Sequence, residues 1–398
     1  MKFLVTLLFF TLFHLPKTSA QVTTNDLNFD FVGNSFIESN SPEVIQGAGY
    51  IFRHDIHSQD RGTHDSPLLG CTDLYFFHIN KSNYDLHFHL VLKSKKSSTN
   101  ASFVGSSYTN AEKLLGKNQG QSYGVASDWL TGKYNNNKTI SLNTEYQSIL
   151  IKEFPKNSMI DGRFKICSSE QYYISIIASH YEDSKLAIGE GLAQSAKGII
   201  MPVTPNTYGR VAAIFNRSKI NGKIEIKSGL VNQKKKWHFN TISKFDEDRD
   251  LQDQTMQCIY NISDSSCQSN GNYGRVYDLS LEIKNNLNVC KSYDVIFESN
   301  LKRDVDIPSF TWNCPILVNN KLVPTYNTPT KPSQLIATIN IMAKSERNIP
   351  IKIIPCGLIT AKQNLQIEEK SCETKEKAFN DNIKNILEKN ELSSEESN

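Results

Sequence analysis

The chain has 398 residues, with 44 Lys and Arg against 41 Asp and Glu and a formal net charge of +3. A balance this close to zero gives no electrostatic ground for nucleic-acid binding or for strong attraction to an anionic membrane. The length is enough for two or three domains and for a core that needs no covalent staples.

The first residues form an export pattern. Met1-Lys2 precedes a mostly apolar run over 3–15, followed by Pro16-Lys17-Thr18-Ser19-Ala20. A basic start, an apolar middle and small residues before a cut after Ala20 read as a signal peptide over 1–20. The run is shorter than the roughly 20 residues that span a bilayer. No Cys lies near the cut, which argues against a lipoprotein anchor, and no later stretch reads as a transmembrane segment. Cleavage removes Lys2 and Lys17 and no acid, so the net charge falls to +1. The mature chain is expected to be exported and soluble or peripherally attached, in the periplasm, at the cell surface or secreted.

Downstream, period-two alternation dominates. Strands are predicted over 74–79 and 85–94, where Leu86, Phe88, Leu90 and Leu92 share one face and His87, His89, Val91 and Lys93 the other. A long Ser-, Asn- and Gly-rich connection over 93–139 holds two short helical candidates, 109–115 and 126–130. Further strands are predicted over 146–154, 172–178, 198–203, 211–215, 223–227, 277–284, 294–298, 335–342 and 349–354. Asn319-Asn320 reads as the turn of a hairpin over 316–323. The basic run Lys234-Lys235-Lys236 reads as a solvated turn or strand edge. A solvated helix is expected over 374–390, with a polar end. The fold class is therefore mainly β, in two antiparallel β-sandwich-like domains with a short C-terminal helix. The divisions are the signal peptide 1–20, an N-terminal β domain 21–205, a C-terminal β-sandwich domain 206–360 and a polar helical or disordered tail 361–398.

All eight cysteines follow the signal peptide, an even number that suits disulfides in an exported protein. Cys258–Cys267 is the leading local pair, Cys290–Cys314 and Cys356–Cys372 come next, and Cys71–Cys167 is the long-range pair. None has the spacing of a zinc or redox motif. Five sequons occur, at Asn80, Asn100, Asn137, Asn216 and Asn261, and matter only in a glycosylating host.

Six of nine histidines fall between His54 and His89. His87 and His89, at i and i+2 on a strand, present both imidazoles to one face, a spacing that zinc sites use. His54, His57, His64 or Asp65 would supply a third metal ligand, and water at an open position would allow metal-assisted hydrolysis. The opposing reading is that these are surface residues. His78 is expected to pack between sheets. No nucleophile elbow or phosphate loop appears. Trp129, Trp237 and Trp312 either serve the core or offer a stacking surface for sugar rings.

The stretch Asn40-Ser41-Pro42-Glu43-Val44-Ile45-Gln46-Gly47, then Leu74-Tyr75-Phe76-Phe77-His78-Ile79-Asn80, Tyr208-Gly209-Arg210-Val211 and Gly271-Asn272-Tyr273-Gly274-Arg275-Val276-Tyr277 follow one another along the chain. Their order resembles the exported cyanobacterial proteins catalogued as domain of unknown function 3370, over about 39–356. The resemblance implies export, a β-rich fold and a bacterial source, and it assigns no catalytic residue. In the repeated Tyr-Gly-Arg-Val, Gly is expected to turn the chain into a strand that Val begins. The function expected is a non-enzymatic envelope or periplasmic protein with a binding or structural role, no cofactor, and an envelope protein or polysaccharide as partner. The alternative is a metal-dependent, zinc-using hydrolase built on the histidine cluster.

Overall fold

The structure, a computed structural model, describes residues 21–25, 29–40, 44–55, 67–110, 120–196, 211–229, 233–239, 254–262, 265–269, 271–299, 312–356 and 363–372. The signal peptide, the strand expected over 198–203, the first Tyr-Gly-Arg and the helix expected over 374–390 lie outside these residues. The first strands are β1 (Gln21–Asn25), β2 (Phe29–Val32), β3 (Ser35–Asn40), β4 (Val44–Ile45), β5 (Gly49–Arg53), β6 (Leu68–Asn80), β7 (Leu86–Ser94) and β8 (Thr99–Thr109). Helix α1 (Gln121–Thr131) precedes β9 (Asn136–Leu142), β10 (Gln147–Phe154) and β11 (Met159–Ser179), and α2 (Ser184–Gly191) follows. Then come β12 (Val211–Phe215), β13 (Lys219–Lys227), β14 (Gln233–Phe239), β15 (Met256–Gln257), β16 (Tyr260–Asn261), β17 (Gln268–Ser269), β18 (Val276–Lys284) and β19 (Lys291–Ser299). The last are β20 (Ile316–Val318), β21 (Lys321–Val323), β22 (Ser333–Ile341), β23 (Glu346–Ile353) and β24 (Gln363–Ser371).

An eleven-stranded sheet is organised by β11. Its first half runs antiparallel between β6 and β8, and its second half between β7 and β5. The register breaks between Ser168 and Tyr172, where Ser169 and Glu170 are exposed. A strand that changes neighbours at such a break turns a corner between layers. The sheet thereby folds around one core, which contains Leu86, Phe88, Leu90 and Leu92 of β7 and Ile160, Phe164, Ile166, Ile174 and Ile176 of β11.

Two further sheets face each other in the C-terminal part. One has the order β1-β14-β24-β19-β22, the other β2-β13-β18-β23-β20-β21. Their shared core includes Trp237, Tyr293, Phe297 and Ile367 from the first and Ile224, Leu281 and Ile351 from the second. Phe36, Tyr75, Phe77, Val211 and Phe215, from the eleven-stranded sheet, belong to the same core. The fold is thus mostly β, with several sandwiched sheets and, among the described residues, two short helices.

Four findings differ from the sequence reading. The pairs β1–β14, β3–β6, β4–β6 and β13–β18 are parallel, so the sheets are mixed. β1 and β2 pair with strands beyond 205, whereas β12 and β16 join the eleven-stranded sheet, so paired strands cross the expected 205/206 division. Residues 363–371, expected within the polar tail, form β24 between β14 and β19, with Leu365 and Ile367 buried. Lys234–Lys236 lie on β14, which β1 and β24 flank, so the run is not an edge. Its Lys234 and Lys236 pair with Glu368 and Glu298, each at 2.6 Å.

The disulfides are Cys71–Cys167, Cys258–Cys267 and Cys290–Cys372. The third replaces the expected Cys290–Cys314 and Cys356–Cys372, because Lys291 pairs with Ser371 and the next step of that ladder opposes Cys290 and Cys372. Asn80 is buried, with Nδ2 donating to Tyr84 O at 3.0 Å and Phe154 O at 2.8 Å, so its sequon serves the fold. Among the described residues, no helix is long and apolar enough to cross a membrane.

Candidate functional site

The six-stranded sheet has one apolar and one polar face. In β13, Ile220, Ile224 and Ile226 enter the core, and in β18, Tyr277, Leu279, Leu281 and Ile283 do the same. Alternation sends Asn221, Lys223 and Glu225, with Asp278, Ser280 and Glu282, to the opposite face. The parallel register sets Asn221 beside Asp278 and Lys223 beside Ser280. An open groove of about 1060 Å³ runs over this surface, with Asp30, Lys219 and Asn348 also in its lining and Lys235 and Trp237 contributed by β14.

The groove's charges neutralise one another. Lys219 Nζ lies 2.5 Å from Asp278 Oδ2, and Lys223 Nζ lies 2.8 Å from Glu225 and 2.9 Å from Glu282. Hydrogen bonding to Glu225, then Glu282, holds the Lys223 ammonium above its ordinary range, and Lys223 in turn holds the Glu225 carboxyl below its own. Such exposed pairs add little stability, but they leave the lining without a marked excess of either sign. Ser280 Oγ donates to Asn348 Oδ1 at 2.9 Å. Asn221 Oδ1 is buried and accepts no hydrogen bond from the described residues. A buried acceptor without a donor is costly, and because solvent does not reach this oxygen it accepts from a ligand in the groove only if the amide turns outward.

The sequence-predicted histidines separate. His54 follows β5, with its ring against Tyr260 at 5.1 Å and Tyr173 at 5.5 Å between centroids. His57, His64 and Asp65 lie outside the described residues. His87 and His89 share the outer face of β7, 6.4 Å apart between ring centroids. That face is not the wet surface the alternation suggests. Val91 of the same face packs with Ile177 and Ala187 of α2, and His89 is fully buried. His89 Nε2 lies 3.0 Å from Tyr181 O and Nδ1 2.7 Å from Ser148 Oγ. A carbonyl only accepts, so Nε2 carries the proton and Nδ1 accepts from the hydroxyl in the neutral ring. Burial pushes the His89 pKa down, with the Tyr181 carbonyl opposing. Among the described residues, no three His, Cys, Asp or Glu side chains form a set that could hold a metal ion. His78 packs in the core near Phe88 and Phe76, with Nε2 3.1 Å from Ser39 Oγ.

Two buried arginines escaped the sequence reading. Arg275 Nη1 lies 2.9 Å from Glu38 Oε2 and 2.6 Å from Ser269 Oγ, and its guanidinium sits against Phe36 and Phe215. Arg163 Nε donates to Gly274 O at 2.6 Å, and its guanidinium lies 3.8 Å from the Trp129 ring centre. Burial pushes both guanidinium pKa values down, against the pull of Glu38 and Asp73 respectively. Gly274 has φ of +72°, and a Cβ there would lie 2.1 Å from Tyr75 Cγ. The second Tyr-Gly-Arg-Val is therefore a joint between sheets, where Gly admits Tyr75 and Arg reaches Glu38. The repeated tetrapeptide was the one signal in the sequence for this joint. Trp312 is fully buried and Trp237 nearly so, which places both in the core.

Fold and site together define a mainly β, multi-sheet protein with a charge-balanced polar groove on one sandwich. The family model described as "Protein of unknown function (DUF3370)" matches residues 183–314, less than half of the chain. This supports the resemblance to that domain of unknown function. All of the groove lining except Asp30, Asn348 and Pro350 falls within the matched residues. No curated protein matches. Among solved structures, Lac15 from a marine microbial metagenome aligns at 10% identity and a TM-score of 0.13, over 82% of this chain and 60% of that one. The CUB1-EGF-CUB2 domains of rat MASP-1 align at 8% identity and a TM-score of 0.17, over 87% of this chain and 99% of that one. Both scores are too low to support any argument about fold or function.

Proposed function

We propose that the chain is an exported, non-enzymatic protein of a cyanobacterial or similar bacterial envelope, periplasm or surface, which binds a neutral, hydroxyl-rich polysaccharide in the groove of β13 and β18. The export pattern over 1–20 supports the location. Three disulfides suit an oxidising compartment.

The observation that carries the binding role is the groove's chemistry. Lys219 and Lys223 engage Asp278 and Glu225, while Asn221, Ser280 and Asn348 line the groove with amide and hydroxyl groups. A polyanion or polycation would have to break these ion pairs, whereas sugar hydroxyls can both donate and accept without doing so.

Affinity electrophoresis of the mature protein through gels holding neutral or acidic polysaccharide from the native envelope tests this. The neutral fraction is expected to retard the protein. Asn221→Ala is expected to weaken that retardation roughly threefold to tenfold, the worth of about one hydrogen bond. Retardation by the acidic fraction alone, or by neither, would contradict the proposal.

A further inference from the structure

The three disulfides follow one rule. Cys71 faces Cys167 in the β6–β11 register. Cys258 and Cys267 lie one step beyond the Gln257–Gln268 pair, and Cys290 and Cys372 one step beyond Lys291–Ser371. Each bond joins neighbouring antiparallel strands. Two cysteines remain as buried thiols, Cys314 and Cys356.

These two also flank an antiparallel ladder. β20 pairs with β23 through Leu317–Lys352 and Val318–Ile351. Three steps past Leu317, the same register sets Cys314 opposite Pro355, adjacent to Cys356. The Cys314 thiol donates to Cys356 O at 3.8 Å, and the two side chains also hydrogen-bond each other. The backbone is held on both sides, since Trp312 Nε1 donates to Cys314 O at 2.9 Å and Gly274 N donates to Pro355 O at 2.7 Å.

We infer that Cys314 and Cys356 are oxidised to a fourth cross-strand disulfide, which fastens the β20–β21 hairpin to the end of β23. Cys356 stands one residue past the position opposite Cys314, and the two side chains already touch, with Cys314 Sγ 3.8 Å from Cys356 O and hydrogen-bonded to the Cys356 side chain. The offset of one residue falls where regular pairing has ended, so the side chains meet without disturbing the ladder.

The oxidant is a disulfide carrier, either a dithiol oxidase or oxidised glutathione. One cysteine thiolate attacks the carrier's disulfide, a mixed disulfide forms, and one carrier sulfur leaves and takes a proton. The second cysteine thiolate attacks the protein sulfur of the mixed disulfide. The Cys314–Cys356 bond forms, and the other carrier sulfur leaves as a thiol. The protein gives up two protons and two electrons, and the carrier's disulfide becomes two thiols. Both sulfurs are buried in the folded chain, and burial lifts the Cys356 thiol well above its ordinary range. Thiolate and access are both scarce there, so the bond forms before β20 docks on β23.

The test uses the full chain exported through an oxidising compartment, denatured in guanidinium chloride with a maleimide and no reductant, then mapped by peptide mass spectrometry. The expected result is no alkylated cysteine and a linked peptide pair holding Cys314 and Cys356. The Cys314→Ser variant should show a single alkylated thiol, at Cys356. Alkylation of both Cys314 and Cys356 in the unaltered chain, with the other three pairs still linked, would overturn the inference. The unaltered chain alone decides the question if the variant does not fold.

Discussion

Asp161 shows how a single buried group sets a measurable property. It is fully enclosed, with Ser122 Oγ donating to it at 2.6 Å and Tyr75 OH at 3.4 Å. Burial raises its carboxyl pKa to about 7, against these hydrogen bonds. The unfolded carboxyl titrates near about 3.9. Between those values the folded chain holds a proton that the unfolded chain has lost. Its contribution is therefore full below the lower value, is lost as pH rises towards 7, and is flat above. Replacing Asp161 by Asn keeps an acceptor and removes the titration. The unfolding free energy of D161N minus that of the unaltered protein is expected to grow by up to about 4 kcal/mol between pH 4 and pH 7.5. Parallel urea-unfolding profiles across that range would contradict this. His89 acts in the opposite sense, since a depressed histidine pKa gives stability above its unfolded value that is lost as pH falls, but it is common to both proteins and cancels in the difference. Little at this scale was legible in the sequence. The i, i+2 spacing of His87 and His89 is real, yet Ser148 and Tyr181 occupy the His89 ring nitrogens, and both lie far from β7 in sequence. Arg163 and Arg275 are of a residue type that is rarely buried, so only the structure reveals their place.

Elements were more legible where alternation was strong. β7, β18 and β23 lie close to their predicted limits because large aliphatic side chains alternate with polar ones. β8 was hidden inside the connection expected over 93–139. Its inward residues are mostly small, and at Gly105 an added Cβ would lie 2.2 Å from Arg163 O, so its close packing on β11 excludes the side chains that would have signalled a strand. β24 was missed because only Leu365 and Ile367 mark its buried face before the charged run begins. The disulfide pairing follows strand register, which a single sequence does not display. The Asn319-Asn320 turn was legible from its chemistry. Both residues have positive φ, 48° and 63°, as a two-residue hairpin of this twist requires. Asn320→Gly is expected to leave the urea midpoint nearly unchanged, whereas Asn320→Val should lower stability by about 1–2 kcal/mol through its Cβ branching in the left-handed region. Equal midpoints for the two variants would contradict that conformation.

For the whole molecule, the sequence conveyed the fold class but not the connectivity. Period-two alternation pointed to a β protein, and the structure is mostly β. The chain nevertheless does not fill its sheets in blocks. β2 pairs with β13, β12 with β3, and Arg275 reaches Glu38 across the joint. Fragments 21–205 and 206–360 would each expose unpaired strand edges and lack partners for buried charges, and uncompensated buried charge is strongly destabilising. Neither is expected to show a cooperative urea transition alone, while the full mature chain should unfold in one. A cooperative transition in either fragment would show that the exchanged strands are dispensable. The central claim, that the groove of β13 and β18 is where this protein meets its ligand, is tested most directly by hydrogen–deuterium exchange on the mature chain with and without neutral envelope polysaccharide. The account predicts slowed exchange confined to the groove-lining segments 29–32, 219–225, 233–239, 276–282 and 346–350. Slowed exchange centred instead on the β7 segment of His87 and His89, or unchanged exchange in the groove with saturating polysaccharide, would contradict it.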